Sequence, residues 1–544
     1  MRINFHGAAR FVTGSNHLIE TKNGEKFLLD MGMFQGSKQE EKLNFEELPF
    51  EASEIDFVIL SHAHIDHSGR LPKLAKAGFK GKIYTTPASK GLAEIMLADS
   101  AHIQESDAEW ENRKRERKGE ALIEPLYEQA DVDNTMGLFE THRYGEIFQA
   151  SENIKIRFRD AGHILGSAII EIWVTEDDKT AKLVFTGDLG VKGHSLINDP
   201  EYIDSADYII MESTYGNTLH SNYGDSLENL MSTIERVTSE GGTVIIPSFA
   251  VGRTQEIIYE LNKQYELTHG GQSNPIKFFV DSPLAVRATK VFTENTNILH
   301  AEAQELIRSG DNIFAFPNLY YTKTVEESKA LNTDKSAKVI ISASGMATGG
   351  RVVHHLKHNL WNEKNAVIFV GYQAQGTAGR LISDGIDKIK LAGDWITNSA
   401  QIYNMPGFSA HADQAYIMEW LGQYERKPNR IFLVHGEENE MYPLRDLIQT
   451  ELEIKVETPG LHSYVDLNFN DLDEIDIHEV SEANELRERA LLDQQIEKVK
   501  LMLAEIEDRE FDSNDMDRVK RQAILRKLNE LEDNLMDFNM LSGK

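Results

Sequence analysis

The sequence predicts a multidomain α/β protein that ends in a helical hairpin. Three observations predict this fold class. Several apolar runs typical of buried strands are followed at once by a histidine or a carboxylate. From about residue 217, apolar strands alternate with helices, which is the pattern of a parallel α/β unit. After about residue 479, apolar residues recur at spacings of three and four, which predicts two amphipathic helices.

Length and composition narrow the class of protein further. A chain of 544 residues should hold two or three domains, each with its own core. The net charge of −31 argues against a protein that coats DNA, although a metal site or a local basic groove could still attract nucleic acid. The chain has no cysteine, and no apolar run approaches the ~18 residues of a membrane span. We therefore expect no membrane segment, no signal peptide and a cytoplasmic location.

The most informative stretch is residues 61–69, which follow the apolar run at residues 57–60. The run reads as a buried strand, and residues 69–78 read as a helix, so the stretch lies on a strand-to-helix turn. It holds three imidazoles and a carboxylate within six positions, contributed by His62, His64, Asp66 and His67. Imidazole and carboxylate are ligands for divalent metals, and no cysteine competes with them. The stretch therefore predicts a metal site.

Further candidate ligands follow other strands along the chain. The shared feature is a polar side chain at the carboxyl end of a strand, where α/β sheets place their sites. Glycine accompanies several of these residues and permits the close backbone approach that a metal loop needs. The residues in question are Asp30, His163, Asp188, Glu212 and, late in the chain, His435. A further late histidine, His411, precedes a predicted helix.

Small-residue loops follow the predicted strands of residues 217–393. Backbone amides and polar side chains in such loops can hold phosphate oxygens, although ordinary strand-to-helix connections look the same. The candidate contacts to a nucleic-acid backbone are Ser248, Arg253, Ser344, Arg351, Gly376 and Ser409. The two arginines could instead form ion pairs between domains. His354 and His358 share a helix face, but no carboxylate accompanies them as a metal ligand.

With these residues in place, the chain resembles the metallo-β-lactamase-fold nucleases of the β-CASP group. That group includes the mRNA 3′-end processing endonuclease and its bacterial and archaeal relatives. The resemblance covers the chain to about residue 475, and the motifs occur in the order of the family. In that order the matching residues are Asp30, His62, His64, Asp66, His67, His163, Asp188, Glu212, His411 and His435.

The resemblance implies a metallo-β-lactamase αββα sandwich with an inserted β-CASP parallel α/β domain. Residues 1–216 and 394–478 would form the sandwich, and residues 217–393 would form the insert. Residues 479–544 lie outside the resemblance and form the predicted hairpin. Two interpretations of the hairpin stay open, namely packing on its own chain and contact with a second copy or a partner protein.

The resemblance also implies a site with two zinc ions, with manganese as an alternative metal. His62, His64 and His163 would hold one ion, and Asp66, His67 and His435 the other. Asp188 would bridge both ions. Asp30 would orient residues 61–69, called the histidine loop below. Glu212 and His411 would supply the proton for the leaving oxygen. The implied reaction is hydrolysis of RNA to 5′-phosphate and 3′-hydroxyl ends, in which Asp66 takes part through its metal.

Three other functions compete with this interpretation. One is a hydrolase of a small thioester or lactone, which the β-CASP-like insert and the motifs at His411 and His435 disfavour. Another is a DNA nuclease of the same group, in which the family has valine where this chain has His435. A third is an inactive scaffold, but such scaffolds lose metal ligands and this chain keeps them.

Overall fold

The first part of the chain contributes strands to two different sheets. The structure, a computed structural model, describes residues 1–269, 276–371, 373, 376–469 and 475–479. The strands of the first part are β1 (Arg2–Gly7), β2 (Asn16–Glu20), β3 (Lys26–Leu29), β4 (Phe57–Ile59), β5 (Lys82–Thr85), β6 (Phe139–Thr141), β7 (Ile147–Gln149), β8 (Ile154–Asp160), β9 (Ala168–Glu176), β10 (Lys179–Phe185) and β11 (Tyr208–Glu212). The helices are α1 (Lys38–Leu43), α2 (Ile65–Ser68), α3 (Leu71–Lys76), α4 (Pro87–Lys118) and α5 (Gln129–Met136).

Residues 217–404 form a parallel sheet of their own. Its neighbouring strands are all parallel, as the alternation of strands and helices predicts. The strands of this part are β12 (Thr243–Pro247), β13 (Lys277–Val280), β14 (Leu319–Tyr321), β15 (Lys338–Ser342), β16 (Ala366–Phe369), β17 (Lys388–Leu391), β18 (Asp394–Thr397) and β19 (Gln401–Asn404). The helices are α6 (Tyr223–Ser239), α7 (Arg253–His269), α8 (Pro283–Glu294), α9 (Ala301–Arg308), α10 (Val325–Thr333), α11 (Arg351–Asn359) and α12 (Ala378–Ser383).

The order of this parallel sheet is β14-β13-β15-β12-β16-β19. Strand β19 pairs with β16, so the sheet continues past the boundary that the sequence predicts at residue 393. Strands β17 and β18 pair with each other in a separate two-stranded sheet.

The last described part of the chain returns to the first two sheets. It contains β20 (Arg430–Val434), β21 (Lys455–Glu457), β22 (Tyr464–Leu467) and β23 (Ile475–His478), with helices α13 (Gln414–Gly422) and α14 (Glu438–Glu451). Strands β22 and β23 extend the sheet β23-β22-β1-β2-β3-β4-β5-β6, and β20 and β21 extend the sheet β21-β20-β11-β10-β9-β8-β7. The parallel unit is therefore an insertion between strands of one sandwich.

The two large sheets pack face to face around a buried apolar core. Phe5 and Phe27 of the first sheet belong to the same core cluster as Phe158, Phe185 and Phe432 of the second sheet. Helices cover the outer faces, with Trp420 and Leu444 of α13 and α14 packed over the second sheet, and with α3, α4 and α5 on the side of the first. Burial of apolar side chains on both faces of both sheets gives the layered αββα architecture, and the prediction of this fold is confirmed.

Helix α4 shows how local sequence sets the elements. Thr86 caps its start by accepting a hydrogen bond from Ser89 N, and Gly119 ends it in the left-handed conformation at φ 69°.

The sequence predicts mostly helix from residue 89 to about residue 142. The structure instead places strand β6 at Phe139–Thr141, where it pairs with β5. The difference is a long-range strand pairing, which local propensity does not encode.

The predicted hairpin of residues 479–544 lies outside the described residues, apart from residue 479. In the part of the chain that the structure describes, no helix combines the length and the apolar character needed to cross a bilayer.

Candidate metal centre

The sheet topology brings the candidate ligands to one edge of the sandwich. Strands β3, β4 and β5 are parallel neighbours, so residues after β3 and β4 emerge side by side. In the facing sheet, β10, β11 and β20 are parallel neighbours, and β8 runs in the same direction because β9 is antiparallel to both β8 and β10. The residues that follow β3, β4, β8, β10, β11 and β20 therefore meet where both sheets end.

Four side chains form the first group of candidate ligands. His64 Nδ1 lies 3.1 Å from His62 Nε2 and 3.1 Å from His163 Nε2. Asp188 Oδ2 lies 3.4 Å from each of these two Nε2 atoms. The four ligand atoms thus surround a single point, and three of the four residues are buried.

A second group lies directly beside the first. His67 Nε2 and His435 Nε2 are 3.1 Å apart, and Asp66 Oδ2 lies 3.4 Å from His435 Nε2. Asp188 Oδ1 lies 3.1 Å from His67 Nε2 and 3.5 Å from His435 Nε2. One carboxylate therefore directs Oδ2 to the first group and Oδ1 to the second.

The residues fit a pair of metal ions. A tetrahedral ion with bonds of about 2.0–2.1 Å holds its ligand atoms roughly 3.3 Å apart, close to the separations within each group. Asp188 Oδ1 is buried and has no hydrogen-bond donor, and a metal would satisfy it. When His67 is neutral, its proton lies on Nδ1 against Asp30 Oδ2, so Nε2 offers a lone pair 3.1 Å from His435 Nε2, where a cation would fit.

Electrostatics favour the protonation states that metal ligands need at His62, His64 and the two carboxylates. Burial opposes a charge on His67, but Asp188, Asp30 and Asp66 outweigh it and raise the pKa of that ring. Burial lowers the pKa of His62 to about 3 and that of His64 to about 4, so both rings are neutral and offer a lone pair. Burial opposes charge on Asp188, but His435 and His67 outweigh it and hold the pKa of this carboxyl well below its usual value. Burial also opposes a charge on Asp66, but His67 and His435 outweigh it and lower the pKa of this carboxyl. Of these two histidines, His67 has the larger charge effect.

In three of the candidate ligand histidines, the ring nitrogen that faces away from the centre contacts a hydrogen-bonding group, which orients the ring. His163 Nδ1 donates to Ala410 O at 3.0 Å, and His435 Nδ1 lies 3.0 Å from Thr214 Oγ1. His62 Nδ1 lies 3.1 Å from Ser61 Oγ. Such contacts fix the tautomer and the ring direction of a metal-ligating histidine.

Asp30 lies behind the histidine loop, at the place that the sequence predicts for an orienting carboxylate. Its Oδ2 lies 2.7 Å from His67 Nδ1 and accepts a hydrogen bond from Ser61 Oγ at 2.9 Å. Its Oδ1 accepts from Ser61 N at 2.8 Å. Asp30 and His435 both have positive φ, at 59° and 51°. Backbone hydrogen bonds hold them there, from Asp30 N to Ile59 O and from His435 N to Ala8 O.

His411 and Glu212 form a pair next to the metal ligands. His411 Nδ1 donates to Glu212 Oε2 at 3.0 Å and lies 3.9 Å from Asp188 Oδ2. Leu189 N donates to the other oxygen of Glu212, Oε1, at 2.5 Å. Burial opposes a charge on His411, but Glu212 and Asp188 raise its pKa to about 9. The ring is therefore protonated at neutral pH, with Nε2 turned away from the carboxylate.

Sequence reasoning missed a residue that positions His411. His220 Nε2 donates to His411 O at 2.9 Å, and His220 N donates to Asp413 Oδ2 at 2.9 Å. Asp413 also pairs with Tyr215 in an isolated bridge and caps α13 through Tyr416 N. The segment after Glu212 is thereby bonded to the segment that carries His411. The signal in the sequence that could have identified His220 is its position in the loop after Glu212.

The two arginines among the predicted substrate contacts are engaged in ion pairs. Arg253 is buried and its Nη1 contacts Glu256, which in turn lies 2.8 Å from His194 Nδ1. Arg351 Nη1 donates to Asp281 Oδ1 at 2.5 Å. Both ion pairs join residues of the inserted unit, so they differ from the ion pairs between domains that the sequence left open, and contact with substrate remains a prediction for both arginines.

The other predicted contacts lie in loops at strand ends. Ser248 follows β12, and its Oγ accepts a hydrogen bond from Thr254 Oγ1 at 3.0 Å. Ser344 Oγ accepts from Thr348 N at 3.1 Å, and Gly376 has φ 80° before α12. Ser409 Oγ accepts from His411 N at 3.3 Å, beside the metal centre.

Within the described residues, every group able to hold a metal belongs to this centre. His354 and His358 are not among them. Between these two residues, His355 is buried and its Nε2 lies 2.6 Å from Asp281 Oδ2, in the network that also holds Arg351.

Comparison with family descriptions gives three matches along the chain. The Metallo-beta-lactamase superfamily matches residues 9–142, and the Beta-Casp domain matches residues 254–382. The Zn-dependent metallo-hydrolase RNA specificity domain matches residues 395–459. The first match covers strands of the sandwich and the second covers strands of the inserted sheet. The third covers β19 of the inserted sheet and β20 and β21 of the sandwich.

Several curated proteins are similar over most of the chain. Ribonuclease TTHA0252 of Thermus thermophilus is 36% identical over 82% of this chain and 96% of its own length. The RNase J-like protein of Methanocaldococcus jannaschii is 32% identical over 84% of this chain and 97% of its own length. The transcription termination factor FttA of the same archaeon is 30% identical, over 82% of this chain and 69% of its own length. These similarities confirm the resemblance drawn from the motifs, and the chain belongs to the β-CASP family of metallo-β-lactamase-fold hydrolases.

Proposed function

We propose that the protein is a metal-dependent ribonuclease that hydrolyses RNA phosphodiester bonds and leaves 5′-phosphate and 3′-hydroxyl ends. The observation that carries the proposal is the convergence of two ligand groups on the two oxygens of Asp188, next to the paired His411 and Glu212. The names of the similar proteins, a ribonuclease among them, support RNA as the substrate. The match to an RNA specificity domain supports the same substrate.

The proposed metal is zinc, two ions per chain, with manganese as the alternative. His62, His64 and His163 would hold one ion. Asp66, His67 and His435 would hold the other, and Asp188 would contribute one oxygen to each group. When bound, such a pair lowers the pKa of a water molecule towards neutrality and neutralises charge on a phosphate. The positive charge would let an acidic chain bind RNA at this point.

The proton for the leaving 3′-oxygen would come from His411. Its Nδ1 donates a hydrogen bond to Glu212, so Nε2 is the atom that can donate to a substrate. Glu212 holds the ring in place and favours its protonated form. Asp30 would act on the substrate only indirectly. Its contacts hold Ser61 and His67 in place, and these two residues position the histidine loop.

The proposal includes the division of the chain that the sequence predicts. Residues 1–216 and 394–478 would form the metal-bearing domain and residues 217–393 the insert, with β19 joining the sheet of the insert across the predicted boundary. Residues 479–544 would pack on their own chain or contact a second copy or a partner protein. A cytoplasmic location fits an RNA substrate and a chain without cysteine.

The test compares three substrate classes with the purified protein. End-labelled RNA, circular RNA, DNA of the same sequence and a small thioester are each incubated with protein of measured metal content. We expect cleavage of RNA, 5′-phosphate products, little cleavage of DNA and no thioester hydrolysis, with all cleavage absent in Asp188→Asn. Cleavage of circular RNA would add an endonucleolytic mode. Thioester hydrolysis without RNA cleavage, or cleavage confined to DNA, would overturn the proposal.

His220 supplies a separate prediction about the proton donor. His220→Ala removes the hydrogen bond to His411 O, and a loss of alignment of this kind lowers kcat by between about 10- and 100-fold. Metal content should stay at the wild-type value because His220 contacts no proposed ligand. His220→Gln keeps a donor near the same carbonyl and should recover part of the rate. Equal losses in the two variants, or a loss of metal, would contradict this positioning role.

A further inference from the structure

Phe249 is an aromatic side chain exposed at the edge of the inserted sheet where the proposed substrate contacts lie. It follows Ser248 at the carboxyl end of β12, and 37% of its surface is exposed. Most phenylalanines of the described residues are buried in the sandwich or in the inserted domain. A single exposed aromatic residue needs no special explanation, so its surroundings decide its significance.

The edge of the Phe249 ring is braced by two neighbouring loops. A Cβ added at Gly345 would lie 3.0 Å from Phe249 Cδ2 and 3.1 Å from Cε2. A Cβ added at Gly371 would lie 3.6 Å from Cε2. These glycines follow β15 and β16, the two strands on either side of β12. The ring therefore fits between three loops, with its Cδ2–Cε2 edge against glycine backbone and part of its surface free.

The loop that carries Phe249 connects to the metal centre. Phe249 O accepts hydrogen bonds from Thr254 Oγ1 at 2.7 Å and from Thr254 N at 3.3 Å, which hold the loop at the start of α7. A Cβ at Gly252 would lie 2.8 Å from Ile164 Cγ2, and Ile164 follows the candidate ligand His163. Ala250, Val251 and Ile164 share one buried cluster. The Phe249 loop thus packs against the His163 loop.

Two arginines of this edge form ion pairs, Arg253 with Glu256 and Arg351 with Asp281. The described residues of the same edge also offer hydroxyls, backbone amides and the Phe249 ring to a nucleic acid. An aromatic face binds unpaired bases by stacking, without requiring a particular base. A paired base cannot present its face in this way, because it is stacked within its own helix.

We propose that Phe249 is a stacking residue for an unpaired base of the RNA substrate. This inference rests on the proposed ribonuclease function and adds to it a named contact for one base of the RNA. One base would lie against the exposed part of the ring while the strand passes towards the candidate metal centre. Gly345 and Gly371 would serve by keeping the ring in its braced position.

The test couples a change in the ring to the removal of single bases. Wild-type protein, Phe249→Ala and Phe249→Tyr are compared by steady-state cleavage of a single-stranded RNA and of a series in which one nucleotide at a time is abasic. We expect Phe249→Ala to raise KM for the intact RNA by about 10-fold, and Phe249→Tyr to stay near wild type. At one position, the abasic substitution should raise KM of the wild type by a similar factor and should leave Phe249→Ala unaffected.

A matched control uses an aromatic residue at the opposite edge. Trp361, 55% exposed, lies between the end of α11 and the start of β16, so Trp361→Ala should leave KM unchanged. If Phe249→Ala shows the wild-type sensitivity at every abasic position, or no change in KM, the stacking role is refuted while RNA cleavage still supports the ribonuclease. If the wild-type protein cleaves no RNA, both proposals fall.

Discussion

His64→Ala and Asp66→Ala are each expected to lower RNA cleavage by about a thousand-fold or more. His64 Nδ1 is the atom that lies 3.1 Å from both other imidazoles of the first group, so its loss opens that group. Asp66 supplies the carboxylate of the second group. A metal contributes several kcal/mol to the stabilisation of the transition state, and each ~1.4 kcal/mol is a factor of ten in rate. Steady-state cleavage and metal content per chain are measured together.

Exposed residues of the same types provide the controls for this prediction. His102→Ala on α4 and Asp133→Asn on α5 should retain wild-type rates and metal content, because both side chains face solvent. Thermal unfolding identifies variants that have lost their fold. Cleavage near the wild-type rate by folded His64→Ala or Asp66→Ala would rule out the proposed centre.

His411→Ala is expected to separate proton transfer from metal binding. Loss of a general acid lowers kcat by about 10²–10⁴-fold, whereas the proposed metal ligands remain in place. The structure supports the separation, since His411 Nδ1 is bonded to Glu212 and lies 3.9 Å from Asp188. Single-turnover cleavage and metal content are the two measurements.

A substrate with a better leaving group provides the control for His411. An RNA with a 3′-bridging sulfur at the cleavage site expels a thiolate, which needs no proton. His411→Ala should therefore recover most of its lost rate on that substrate. A variant that loses metal in proportion to its activity, or that shows no recovery, would contradict the assignment of His411 as the proton donor.

The sequence places most of the candidate ligands at strand ends because strand ends are local features. His62 and Asp188 each follow a run of apolar residues, and parallel strands bring such ends together. Asp30 is recognisable in the same way, and its hydrogen bonds to Ser61 and His67 match the predicted orienting position. The pairing of Glu212 with His411 came from the resemblance, because two residues so far apart in sequence carry no local signal of contact.

Contacts between distant parts of the chain could not be predicted in this way. Arg351 is paired with Asp281 and Arg253 with Glu256, and only the second pair lies within one turn of a helix. His220 reaches a carbonyl that lies in the second segment of the sandwich. Strand β19 joins the inserted sheet by pairing with β16. Each of these features depends on tertiary pairing, which periodicity and propensity do not specify.

Zinc titration of metal-free protein tests the central claim most directly. Metal is removed with a chelator, zinc is added back in steps, and RNA cleavage is measured after each step. We predict no cleavage without metal, full recovery only after two equivalents per chain, and no recovery in Asp188→Asn. Full activity in metal-free protein, or full recovery in Asp188→Asn, would contradict the account.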